Sequence, residues 1–178
     1  MLDKLYITPK QWLRILRWTL YSLLLLLAIL LQTVVFGNRR LFGTHPDLVP
    51  IVIACVCLRE GAERGGTFAL LGSLFWYLSG AEQGSVCIVT LTVLPVVGSL
   101  LCRTLLVERF LACLLITFAT VFVEQTAMFL LKFFFDGLSG MFFLRELLPC
   151  VAVSLLAQPP VYWLVKRIAK IGESHEST

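Results

Sequence analysis

The feature that most constrains this chain is the unbroken apolar run from Trp18 to Phe36, whose only polar members are Thr19, Tyr21, Ser22, Gln32 and Thr33. As a helix rising about 1.5 Å per residue it spans roughly 28 Å, close to the hydrocarbon thickness of a bilayer. A secretory signal segment is shorter and ends at small residues before its cleavage site. This run ends Val34-Val35-Phe36 and is followed by further apolar segments. It reads as a retained membrane span.

The remaining sequence extends that reading. Hydrophobic residues make up 58% of the 178 and charged residues 15%, against roughly 45–50% and about 25% in globular chains. The pattern predicts an all-α integral membrane protein of about six transmembrane helices, in one helical domain over 1–171. The expected spans are about 18–36, 46–58, 65–79, 84–102, 109–132 and 146–165, with a polar, disordered tail over 172–178. The second and third are short for a full crossing and are joined by the charged link Arg59-Glu60-Gly61-Ala62-Glu63-Arg64-Gly65-Gly66, where Glu60 and Glu63 beside Arg59 and Arg64 read as a solvated, self-neutralising loop. A hairpin of short helices is one reading of the pair, and a re-entrant pair is the alternative. The stretch from Tyr6 to Arg17, with Trp12 beside Lys10 and Arg14, reads as an interfacial anchor.

Basic residues orient the bundle. With the N-terminus cytoplasmic and six crossings, that side holds Lys4, Lys10, Arg14, Arg17, Arg59, Arg64, Arg103, Arg109, Lys166, Arg167 and Lys170. The opposite side holds only Arg39, Arg40, Lys132 and Arg145. This is the asymmetry that the positive-inside rule expects, with both termini inside.

The spans offer little chemistry. No Walker loop, His-Glu-x-x-His or Gly-x-Ser-x-Gly motif is present. The histidines, His45 and His175, lie outside the spans, and the six cysteines form no Cys-x-x-Cys pair. Cys55 and Cys57 fall on roughly opposite helix faces, so neither a metal nor a cofactor is expected. No feature suggests nucleic acid.

Glu124 is the exception. It falls in the middle of the fifth span, where an ionisable group costs a few kcal/mol and should face the bundle interior. Thr120 shares its face, and Gln158 of the sixth span could reach it if the two helices are neighbours. A packing hydrogen bond, a contact with a partner helix and an ion or substrate site are the alternatives. Pro159-Pro160 should interrupt the sixth span. Gly80 and Gly84 match Gly-x-x-x-Gly but bracket a loop, so turn geometry is the better account.

The segment 46–84 carries a resemblance. Pro46-Asp47 starts a short span, Leu58-Arg59-Glu60-Gly61 forms a small charged turn, and Gly66 to Leu74 is punctuated by Gly72. Ser79-Gly80 and Gly84 then bound a loop. This layout resembles the MreD family, the membrane subunit of the bacterial rod-shape system. Asp47, Gly72, Gly80 and Gly84 match its pattern. The acid that the family often carries toward the end of the third span is replaced here by Trp76 or Tyr77, so no role resting on it transfers. The resemblance implies a non-enzymatic scaffold in the bacterial cytoplasmic membrane. Its expected partner is an MreC-like single-span protein, with MreB-like filaments and a peptidoglycan synthase and transpeptidase as indirect partners. It also implies a fold similar to the membrane-embedded substrate-binding subunits of energy-coupling-factor transporters. A vitamin-binding transporter subunit of that kind is the alternative function. Asp47, Gly72, Gly80, Gly84, Glu124 and Gln158 are the candidate partner-binding or structural residues.

Overall fold

The computed structural model describes residues 9–35, 46–80, 86–104, 109–136 and 140–171. Gly84, His45, Arg39, Arg40, Tyr6 and the 172–178 tail lie outside them. Six α-helices follow one another: α1 (Pro9–Leu30), α2 (Leu48–Glu60), α3 (Ala62–Leu78), α4 (Val86–Thr104), α5 (Arg109–Asp136) and α6 (Gly140–Lys170). No strand occurs among the described residues. The stretches 11–35, 110–131 and 147–170 are long and apolar enough to cross a membrane. The chain is therefore an all-α protein with the character of a membrane bundle.

The central element is α2. Every side chain from Leu48 to Cys57 is buried, and the helix packs against all five others. Its sequence is apolar around its whole circumference, as a helix enclosed on every side must be. At about 1.5 Å per residue, α2 is only some 20 Å long. Its ends meet polar groups of the surrounding helices.

Those contacts fix helix direction. Near its start, Asp47 meets Gln32 of the first helix, Gln125 of α5 and Ser154 of α6. Near its finish, Glu60 meets Arg17 and Tyr21 of α1, and Arg59 meets Tyr162 of α6. Thus α1 and α5 run antiparallel to α2, and α6 runs parallel to it. The first residues of α1 and the last of α6 lie at the Arg59 end.

Several sequence expectations need correcting. The Arg59–Arg64 link is not a solvated loop. Helix α2 runs through Glu60, α3 starts at Ala62, and only Gly61 breaks the helical path. Glu63 and Arg64 are exposed, but the Glu60 side chain is 6% exposed because Arg17 and Tyr21 draw it against α1. Residues 9–17 join the first span without a break, since α1 is continuous from Pro9, and Trp12 on it is exposed. Pro159-Pro160 do not interrupt α6, which holds Pro149, Pro159 and Pro160 within one helix. A proline costs a helix one amide donor and crowds the preceding turn. Neighbouring helices in a packed bundle tolerate that loss.

Gly61 and Gly65 make the α2–α3 turn possible. Gly61 sits at φ 89°, a left-handed conformation that suits glycine. Its amide donates to the Cys57 carbonyl at 2.9 Å, and the Gly65 amide donates to the Gly61 carbonyl at 2.7 Å. A Cβ on Gly65 would stand 2.5 Å from the Cys57 Cα, so only glycine lets the two backbones approach this closely.

Candidate functional site: a buried polar seam around Asp47 and Glu124

The first helix ends in a wider, π-type turn over Leu31–Val35, in which Gln32 is the buried residue. Such turns re-aim single side chains, and here Gln32 points across to α2. Its Oε1 accepts from the backbone amides of Leu48 at 3.0 Å and Val49 at 3.3 Å. The free N-terminal donors of α2 are thus capped by a side chain of another helix, while Asp47, at the N-cap position, makes no cap of its own.

Asp47 is thereby left to accept from other groups. Gln32 Nε2 donates to Oδ1 at 3.1 Å, and Gln125 Nε2 donates to Oδ2 at 2.8 Å. The Cys150 thiol donates to Oδ2 at 3.3 Å. The Asp47 backbone amide donates to Ser154 Oγ at 3.0 Å. One residue, 4% exposed, so ties together the first, second, fifth and sixth helices.

A second polar group of residues lies alongside. Glu124 on α5 is 1% exposed, faces Asp47 across the interior and has the Cys87 thiol of α4 as a close neighbour. Toward the Arg59 end, Cys113 of α5 shares a 2.9 Å hydrogen bond with Cys55 of α2. Thr117 and Gln158 border Cys113. Thr117, Thr120 and Glu124 recur at helical spacing on the inner face of α5, and Ser154 and Gln158 do so on α6. Thr120 returns its hydroxyl to the Ile116 carbonyl at 2.7 Å. Among the described residues, Glu124 Oε1 and Oε2, Gln158 Oε1 and Nε2, and Thr117 Oγ1 have no oxygen or nitrogen hydrogen-bond partner, and the thiols of Cys87 and Cys113 are their polar neighbours.

The six sequence candidates separate accordingly. Asp47 is the hub. Glu124 and Gln158 are fully enclosed, and no hydrogen bond joins them. A partner helix outside the bundle therefore cannot reach Glu124 directly; the carboxyl does not meet Gln158, and its interhelical neighbour is instead the Cys87 thiol of α4. Gly72 lets α3 close on its neighbours, since a Cβ there would lie 3.0 Å from Leu25 and 3.6 Å from Ile53. Gly80 takes φ 77° in a turn with open space around it. Gly84 is not described. Trp76, in the region where the family carries an acid, is 3% exposed, whereas Tyr77 is 41% exposed.

Sequence reasoning passed over Gln32, Gln125 and Cys150. Gln32 had a signal: an amide within a leucine-rich span must find a buried partner, because lipid offers none. A search of known protein families, curated proteins and solved structures found nothing that matches the chain.

Proposed function

We propose that the chain is a non-enzymatic membrane scaffold of the bacterial cell-elongation machinery. In this reading it crosses the cytoplasmic membrane several times with both ends cytoplasmic and binds an MreC-like single-span protein. Through that partner it helps to link MreB-like filaments to peptidoglycan synthesis. The observation that carries the reading is that two of the four residues bearing the MreD resemblance, Asp47 and Gly72, sit where the bundle's helices meet. Asp47 joins four helices, and Gly72 seats α3 against Leu25 and Ile53.

The outer surface supports the same reading. Leu70, Leu71, Leu74, Phe75 and Leu78 line an exposed apolar face of α3. Association between helices in lipid relies on packing together with a few polar contacts. A bundle that spends its polar side chains internally offers a partner this kind of face.

The test is affinity purification of the tagged chain from bacterial membranes in mild detergent. A single-span partner with a large extracytoplasmic coiled coil is expected, and depletion of the chain should convert rods to spheres. Recovery with an ATPase pair or a bound vitamin, with cell shape unchanged on depletion, would replace the scaffold by a transporter subunit.

A further inference from the structure

We infer that the interior between α2, α5 and α6 is an internal hydration site, in which bound water completes the hydrogen bonds of Thr117, Gln158 and Glu124. All three side chains are at least 99% buried, and among the described residues their five polar atoms find no oxygen or nitrogen partner, only the weakly bonding thiols of Cys113 beside Thr117 and Gln158 and of Cys87 beside Glu124. Buried polar groups in native proteins are almost always satisfied, and in a membrane the surrounding hydrocarbon cannot do it.

The chemistry of the five atoms selects the ligand. Gln158 Nε2 can only donate, Gln158 Oε1 can only accept, and the Thr117 hydroxyl does both. A bare cation would leave the Gln158 amide donor with the weak Cys113 sulfur as its acceptor, and an anion would be set against Glu124. Water donates and accepts, and buried waters characteristically bridge such mixed groups with two to four hydrogen bonds. From Thr117 to Glu124 is two turns of α5, roughly 10 Å. Thr120 and Ser154 lie between and offer oxygen atoms along that path. The inference concerns the interior alone and is independent of the scaffold reading.

The first experiment is proton-detected solid-state NMR of the wild-type chain in deuterated lipid bilayers, following magnetisation transfer from water. Strong transfer is expected to the Gln158 side-chain amide and to the Thr117 region, with little to Val52 or Val56, which are equally buried among apolar groups. Equal, negligible transfer at all four would overturn the inference. The second experiment measures detergent thermostability of Gln158→Met and Thr117→Val. In a hydrated site, each substitution removes a partner from the water and lowers the melting temperature by several degrees. In a dry site, each removes an unmet polar group, and the melting temperature rises. The NMR result needs no variant, so a variant that fails to fold leaves the inference open to refutation.

Discussion

Replacing Asp47 by alanine measures how much of the bundle hangs on one side chain. The change removes the acceptor of Gln32 Nε2 at 3.1 Å, of Gln125 Nε2 at 2.8 Å and of the Cys150 thiol at 3.3 Å. Gln32 is 8% exposed and already engaged at its Oε1 by α2, so its amide cannot turn away without uncapping that helix. Each stranded buried donor costs about 1–3 kcal/mol. Gln125 is only half-buried and recovers part of its loss, which makes about 3 kcal/mol a reasonable total for the two amides. For a chain of this length, 1 kcal/mol moves the midpoint by roughly 2–4 °C. Asp47→Ala should therefore melt roughly 6–12 °C below wild type, measured by circular dichroism in a single detergent. Adding Gln125→Leu to Asp47→Ala should cost less than the two separate losses combined, because the pair shares one interaction. A folded Asp47→Ala chain melting within about 1 °C of wild type would refute the assignment of Asp47 as the hub.

Other outcomes follow from the same geometry. Gly65→Ala forces a Cβ against the Cys57 backbone and should cost about 3 kcal/mol. Gly80→Ala meets only its φ of 77° and should cost about 1 kcal/mol, so thermal melts should rank the two in that order. Tyr21→Phe removes the 3.1 Å donor to Glu60 and should cost about 1 kcal/mol, read from the same melts. With both ends cytoplasmic, a fluorescent protein fused after α6 should fluoresce, and alkaline phosphatase fused there should be inactive. The reverse pattern would invert the proposed orientation.

The helical character of the chain was legible because lipid-compatible runs have few alternatives. The inward direction of Glu124 was legible for a related reason, since an acid in mid-span has nowhere else to go. The place of α2 was not. A helix facing lipid and a helix facing protein are equally apolar, so composition does not separate Leu48–Cys57 from the outer spans. Shortness was the available clue, read instead as a doubtful crossing. The link at Glu60 was misjudged because Arg59 and Arg64 are its neighbours in sequence, whereas Arg17 is its ion-pair partner in space, 3.1 Å away. The Asp47 network was half visible: the Pro-Asp start drew attention to the acceptor, but its amide donors come from distant helices.

The enclosure of α2 also dictates an order of events during synthesis. This helix emerges second, yet the side chains that close over its start belong to α5 and α6, near the end of the chain. Until those arrive, a short element with an aspartate at one end and Arg59-Glu60 at the other lacks the side chains that enclose its start. Closure around the start of α2 therefore comes late, once α5 and α6 are made. A chain stopped before α6 would leave Asp47 without Ser154 and Cys150, the two partners that this last helix brings to it.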